Sequence, residues 1–308
     1  MDSLPRIALA LIIGAAGGFG FYLLGLPLPW MLGALFATMT ASVAKAPVIA
    51  PARIRPAVVA VIGVLLGSRF TPDVLQQASA WGATVAILMV YVVAVALVVV
   101  PFYRFVGKFD WVTAYFAGMP GGLTEMIEIG EANGAKPAPI ILAHSLRIVV
   151  TISLIAFWFR IVQGQNVGAS AVRTVAALSW LDAGVMLASA VAGSALGGWL
   201  RFPAPAFLGP LLVSAVLHLT GLTASVPPTL LVNAAQVILG TVLGCRFLGI
   251  SARTLVPAML LSIGATVLTL GLAFVGGLAM HAVAGSPIDP ALLAMAIKSM
   301  GVEALSFT

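Results

Sequence analysis

The 308 residues are 61% apolar and 8% charged, with 15 Lys and Arg against 9 Asp and Glu and a mean hydropathy of +1.15. So few charges cannot cover the surface of a soluble globule of this length, so the composition points to a chain that crosses a membrane several times. The basic residues come one to three at a time between apolar runs, with no basic stripe, which excludes a nucleic-acid-binding face. The lone Cys245 excludes an internal disulfide or a cysteine-rich metal cluster.

Taken in chain order, apolar runs long enough to serve as spans fall at 6–24, 28–44, 55–70, 81–101 and 138–160, then at 178–200, 205–220, 230–247 and 255–281. The first run lacks a small-residue cleavage site and is read as a span rather than a removed signal peptide. Pro27 and Pro29 open the second run, and Pro203 and Pro205 open the seventh. Residues 161–174 form a polar linker. Two stretches do not read as ordinary spans, 109–135 and 289–308.

The chain carries an internal echo. Gly25-Leu-Pro-Leu-Pro-Trp-Met-Leu-Gly33 returns as Arg201-Phe-Pro-Ala-Pro-Ala-Phe-Leu-Gly209, offset by 176, and Gly63-Val-Leu-Leu-Gly67-Ser-Arg69-Phe returns as Gly240-Thr-Val-Leu-Gly244-Cys-Arg246-Phe, offset by 177. These motifs predict two homologous helical repeats, 1–160 and 175–308. The glycines at fourfold spacing suit close helix packing, and Arg69 and Arg246 suit anchors at span ends. Basic residues follow the second and fourth runs (Lys45, Arg53, Arg55; Arg104, Lys108), while the equivalent loops 221–229 and 282–289 have none. Loop 25–27 has no base where its twin has Arg201; the loop after 69 has one where its twin has Arg246 and Arg253. Each loop pair reverses its bias, which predicts inverted copies and a cytoplasmic N-terminus in a bacterial inner membrane. The expected fold is an all-α integral membrane protein of about 9–11 membrane segments with a broken or re-entrant helix at 109–135. If 109–135 crossed fully, the copies would be parallel instead.

The polar chemistry concentrates at Pro120-Gly121-Gly122-Leu-Thr-Glu125-Met-Ile-Glu128-Ile-Gly130, followed by Glu131. Proline removes a donor and glycine tolerates unusual dihedrals, so the pair should break a helix and free main-chain groups, which membranes tolerate only inside protein or against a water-filled cavity. Glu125 and Glu128 share a helix face, and a carboxylate in hydrocarbon costs at least about 2–3 kcal/mol, the mark of a substrate or proton site. The alternative is three glutamates in an aqueous loop. His144 and Arg147 lie one turn apart on the next span and offer partners for Glu125 or Glu128; the alternative is snorkelling at the helix end. His218 and His281 read as structural, and Asp110 and Asp289 as helix caps.

With the duplicated Pro-x-Pro motifs, the twin Arg-Phe segments and Pro-Gly-Gly-Leu-Thr-Glu-Met, the chain resembles the AbrB family of bacterial membrane proteins over nearly its whole length. Relatives resembling it carry labels of an ammonia monooxygenase or a regulator of gene expression. The resemblance implies a second Pro-Gly-Gly motif, where this chain reads Lys298-Ser-Met-Gly301-Val-Glu303-Ala-Leu. Glu303 is the remaining candidate of that second half-site, and the second copy lacks its last span.

The favoured function is a secondary transporter for a small, preferably anionic, solute bound where the two copies meet, at Pro120, Gly121, Gly122, Glu125, Glu128, His144, Arg147 and Glu303. A membrane-associated regulator is the alternative. A monooxygenase is disfavoured because the three histidines stand in separate segments with no ligand pair at metal spacing. No enzymatic activity, cofactor or metal site is expected. The expected partners are the lipid bilayer and a small-molecule solute, with no nucleic acid; a homo-oligomer is compatible.

Overall fold

A computed structural model describes residues 3–70, 81–161, 180–223 and 225–284, and every regular element among them is a helix. In chain order these are α1 (Ser3–Leu23), α2 (Pro29–Val43), α3 (Arg55–Gly67), α4 (Trp81–Phe105), α5 (Trp111–Gly118), α6 (Leu123–Ala132), α7 (Pro137–Ile161), α8 (Trp180–Trp199), α9 (Pro205–Leu219), α10 (Thr229–Gly244) and α11 (Ala252–Ala284), with a 3-10 turn at Cys245–Phe247. Among the described residues, five stretches are long and apolar enough to cross a bilayer: Leu4–Leu23, Val85–Phe105, Pro137–Trp158, Thr229–Phe247 and Ala252–Ala279. The nine expected apolar runs each became one helix. The chain has the architecture of a multi-span membrane protein.

The helices sort into two compact units. The first holds α1–α3 and α8–α10, and the second holds α4–α6, most of α7, and α11. Each unit therefore draws on both halves of the chain. This is a division in space, distinct from the division of the sequence at 161–174.

The first unit packs through glycines. Gly17 of α1 meets Gly33 of α2, and Gly193 of α8 meets Gly209 of α9. Gly240 and Gly244 of α10 rest on the Met31 and Leu35 carbonyls of α2; Gly63 and Gly67 of α3 rest on the Phe207 and Leu211 carbonyls of α9. A Cβ at any of these glycines would come within 2.6 Å of a main-chain atom, closer than real side chains approach. Small residues let backbones touch, and this contact replaces the hydrophobic drive that lipid does not supply between helices. The partners α1·α2 and α8·α9 are 176 residues apart, and the α3 and α10 glycines 177 apart, the offsets of the sequence echo. Leu28 (φ 45°) and Ala204 (φ 60°), also 176 apart, both cap their helices in the left-handed region ahead of Pro29 and Pro205. For residues with a Cβ that conformation costs about 1–2 kcal/mol each. Proline at the first helical position sets φ for the helix and forfeits only a donor that would be unbonded there.

The second unit has a different core. Tyr91, Val95, Val99 and Tyr103 recur every fourth residue of α4 and are buried with Ala114, Phe116 and Ala117 of α5, Ile140 and Ala143 of α7, and Ala265 and Ala273 of α11. The Tyr91 hydroxyl donates to the Thr269 carbonyl at 3.3 Å. The other face of α4 is open, with Met89 62%, Val90 70% and Leu97 71% exposed. Such a surface suits lipid and not water.

Candidate functional site

The stretch 109–135 folds as a helical hairpin. Its arms have 8 and 10 residues, about 12 and 15 Å at 1.5 Å per residue, so neither alone crosses a hydrocarbon layer of about 30 Å. Asp110 caps the first arm: its Oδ1 accepts from the Thr113 backbone N–H at 2.8 Å and its Oδ2 from the Thr113 hydroxyl at 2.8 Å. The same hydroxyl oxygen accepts from the Lys136 backbone N–H at 2.9 Å, so the chain leaves α6 where it entered α5. Gly130 of α6 lies against the Phe116 ring of α5. The tip is extended backbone, with φ/ψ of −64/138° at Met119 and −64/137° at Gly122.

A helix end leaves its last carbonyls unbonded and carries partial negative charge. At the end of α5 these carbonyls go to α7. The His144 Nε2–H donates to the Phe116 carbonyl at 2.8 Å, and Arg147 donates through Nη1 to Gly118 at 3.2 Å and, weakly, through Nη2 to Met119 at 3.5 Å. Arg147 Nη2 also lies 3.0 Å from His144 Nδ1. A carbonyl can only accept, so Nε2 carries the proton, and Nδ1 then accepts from the guanidinium. The network holds His144 as the neutral Nε2–H tautomer. Both side chains are buried, at 2% and 1% exposure, which rules out snorkelling at a helix end.

The glycines of the tip serve another purpose than expected. Neither Gly121 nor Gly122 has a positive φ; among the described residues the glycines that do are Gly25, Gly134, Gly221 and Gly249. They supply space. The Glu125 carboxylate folds back over Gly122 and the Met126 side chain over Gly121, and a Cβ at either glycine would collide with them. Glu125 stands three residues after the N-cap, the position from which a glutamate reaches back over its own helix start. The chain's own carboxylate thus lies against the start of α6.

The expected pairing of His144 and Arg147 with Glu125 or Glu128 is not formed. Glu125, Glu128 and Glu131 are exposed, and among the described residues Arg147 has no carboxylate partner. Arg147 reaches the Gly118 and Met119 carbonyls, just ahead of Pro120, Gly121 and Gly122 in the chain. Of the other candidates, Pro27 and Pro29 are buried, Pro203, Pro205 and Arg69 exposed, and Arg246 half-buried in the 3-10 turn. Gly67 and Gly244 make the helix contacts given above. Glu303 and Asp289 lie outside the described residues, as does the side chain of His281. His218 binds locally, its ring nitrogens 2.8 Å from the Ser214 carbonyl and 3.0 Å from the Ser225 carbonyl.

Sequence reasoning passed over Tyr103 of α4 and Ser262 and Thr266 of α11, all buried polar side chains in the second unit. The signal was present: Ser262, Thr266 and Thr269 at i, i+4 and i+7 form a polar stripe on an otherwise apolar helix.

A family model described as "Transition state regulatory protein AbrB" matches residues 30–307. "Uncharacterized protein YhjN" of Bacillus subtilis (strain 168) is 23% identical over 227 residues, covering 68% of this chain and 59% of that protein. The chain thus spans less than two thirds of that relative's length. No solved structure matches.

Proposed function

The chain belongs to the AbrB family, and from that premise we propose that it is a secondary-transporter-like membrane protein moving a small solute, preferentially an anion, past the tip of the α5–α6 hairpin. The observation that carries this reading is the hairpin itself: two arms too short to cross, tied together at their base by Thr113 and Lys136, with a buried basic pair bound beneath the tip. Broken helices of this kind are tolerated at membrane depth only where they face protein or a cavity, and transporters place their sites there.

In this reading the hairpin is re-entrant, the first copy then has an odd number of crossings, and the copies are inverted, with the N-terminus in the cytoplasm and the protein in the inner membrane. The reversed loop charges support inversion. The glycine contacts at constant offset support two copies related by a twofold axis, since that operation maps α2 on α10 into α9 on α3. The site lies where first-copy helices α4–α7 meet second-copy helix α11. No enzymatic step is part of the proposal.

Purified protein reconstituted in liposomes under an inward proton gradient tests it, with uptake followed for a panel of radiolabelled organic anions. Saturable uptake that Gly122→Leu abolishes, while the variant still unfolds cooperatively, supports the reading. Uptake of the whole panel at the protein-free level overturns it. Glu125→Gln separates coupling from binding: it removes the dependence on the proton gradient if Glu125 carries the coupled proton. The family model's printed description favours a second reading, a membrane regulator; that reading expects solute binding with no flux.

A further inference from the structure

One end of the first unit is basic. Gly63 and Gly67 of α3 meet Phe207 and Leu211 of α9 in ascending order, and Gly240 and Gly244 of α10 meet Met31 and Leu35 of α2 likewise, so each pair runs parallel. In the turns that join the end of α2 to the start of α3, Val48 packs with Ala10 of α1 and with Cys245 after α10, and the Ile49 N–H donates to the Arg6 carbonyl at 3.4 Å. One end therefore gathers the start of α1, the end of α2, the start of α3, the α8–α9 turn and the end of α10. It carries Arg6, Lys45, Arg53, Arg55, Arg201 and Arg246. Among the described residues of this unit the acidic side chain is Asp182, in the first turn of α8 at the opposite end. Arg69, past the end of α3, and Arg160, whose guanidinium lies by Gly25, also stand at that opposite end. We propose that the basic end is a docking surface for anionic phospholipid headgroups.

Four helix ends show that the bases are kept at a cost. Gly25 and Arg201, 176 residues apart, close α1 and α8 with the same bonds. The Gly25 and Leu26 N–H groups donate to Tyr22 and Phe21 at 3.1 and 3.0 Å, and those of Arg201 and Phe202 to Gly198 and Gly197 at 3.2 and 2.9 Å. Lys45 and Gly221, also 176 apart, close α2 and α9 alike, through Ser42 at 3.1 Å and His218 at 3.2 Å. All four residues are left-handed, with φ of 63° at Gly25, 54° at Arg201, 62° at Lys45 and 71° at Gly221. Glycine adopts this conformation freely, and a residue with a Cβ is strained in it. Both glycines stand at the Asp182 end and both bases at the basic end. A base also complements the dipole of a helix C-terminus, but Gly25 and Gly221 close helix C-termini too, so the dipole does not set the choice. The chain accepts the strain where it adds positive charge to this one end.

Arg6, Lys45, Arg53 and Arg201 are exposed, and Arg55 and Arg246 half-buried. Like charges gathered in one place repel, and phosphates set opposite them offset that repulsion. Exposed apolar side chains are interleaved with the bases: Leu4, Ile54, Trp199 and Leu248 each stand within two residues of one. An acidic soluble partner needs no such rim. The boundary between acyl chains and phosphates needs both kinds of side chain, and Trp199, 79% exposed, is of the type enriched there. Basic clusters of this size beside membrane helices attract anionic lipid. The surface is read from its own residues and stands whether or not the chain moves solute.

The test uses the full chain in neutral detergent micelles, with thermal unfolding followed against phosphatidylglycerol, phosphatidylcholine and polyglutamate. Phosphatidylglycerol should raise Tm with dose, less so as salt is added, and the other two should not. Lys45→Gly combined with Arg201→Gly relieves the strain, so Tm in phosphatidylcholine should stay level or rise. The phosphatidylglycerol dose needed should rise about tenfold or more with two bases gone. Lys45→Gln combined with Arg201→Gln removes the charges and keeps the strained turns, and should shift the dose alike. Arg160→Gln, at the opposite end, should leave the dose at the wild-type value. Equal stabilisation by phosphatidylcholine overturns the surface, and so does a wild-type dose in both double variants or an equal shift in Arg160→Gln. Equal stabilisation by polyglutamate would replace lipid with an acidic protein partner. A lower Tm for the glycine pair in phosphatidylcholine would show that the bases serve the turns themselves, which also overturns the proposal.

Discussion

The two units solve the problem of holding helices together in opposite ways. The first unit brings backbones into contact: Gly17 with Gly33, Gly193 with Gly209, and the α3 and α10 glycines on facing carbonyls. Each of these contacts has a partner at the same sequence offset. The second unit buries Tyr103, His144 and Arg147 and bends one segment into a hairpin whose loose carbonyls are bound by His144 and Arg147. No contact of the hairpin has a described equivalent elsewhere in the chain. The lesson is one of division of labour. Paired glycine contacts tolerate nothing larger and can do little but hold, whereas a buried cation bound to the carbonyls of a broken helix is expensive to keep and is the kind of feature retained for a chemical task.

The comparison breaks first at the glycines. Gly33→Leu and Gly209→Leu should each abolish folded protein, because a branched side chain would have to occupy the backbone of the neighbouring helix. The alanine versions should cost about 1–3 kcal/mol, in the range of overpacked cores, and by similar amounts at the two sites. Thermal unfolding in detergent reads both. A large loss at one and none at the other would mean the paired contacts are not equivalent, and the twofold relation between the proposed copies would lose its best support.

Next comes the basic pair. Arg147→Met leaves the Gly118 and Met119 carbonyls unbonded and His144 Nδ1 without its donor. At about 1.5–3 kcal/mol for each hydrogen bond to a charged group, the loss should be about 3 kcal/mol or more. Arg147→Lys keeps the charge but not the planar fork, and should recover less than half of it. If Arg147→Met unfolds at the wild-type temperature, the guanidinium is not what holds the end of α5.

Much of this arrangement was legible in the sequence. The nine apolar runs match nine helices to within a few residues, from 6–24 against Ser3–Leu23 to 255–281 against Ala252–Ala284. The segment 109–135 stood apart because Pro120 and two glycines interrupt it between polar residues. The adjacency of His144 and Arg147 followed from helical spacing alone. Their partners did not, because carbonyls 28 and 29 residues away have no sequence signature, and three nearby glutamates offered a more obvious match. The roles of Gly121 and Gly122 were misread for a similar reason: a glycine needed for space and one needed for φ look the same in a sequence. Ser262 was missed because a single serine in an apolar helix usually bonds its own backbone, and Tyr103 because nothing in the sequence separates it from its apolar neighbours.

Smaller effects should sharpen the picture of the hairpin's base. Thr113→Val removes the bond to Lys136 and one of the two bonds to Asp110 while keeping the side-chain shape, and should cost about 1–2 kcal/mol. Proteolysis between Asn133 and Pro137 should quicken if that bond closes the hairpin.

The smallest effect concerns pH. The backbone N–H of Thr113, then its hydroxyl, hold the Asp110 carboxyl below the usual aspartate range. A carboxyl lowered in the folded state binds its proton more weakly there than in the unfolded chain, so its contribution is complete above the unfolded value of about 3.9. That contribution fades as pH falls through the lower folded value. Asp110 is exposed, so solvent screening keeps the effect small. Asp110→Asn caps a helix about as well but does not titrate. Unfolding temperatures from pH 6 down to about 3 should therefore converge for the two proteins as the wild-type carboxyl takes up its proton. A constant gap across that range would mean that the hairpin's base does not sense the charge on Asp110, and that the cap works through its hydrogen bonds alone.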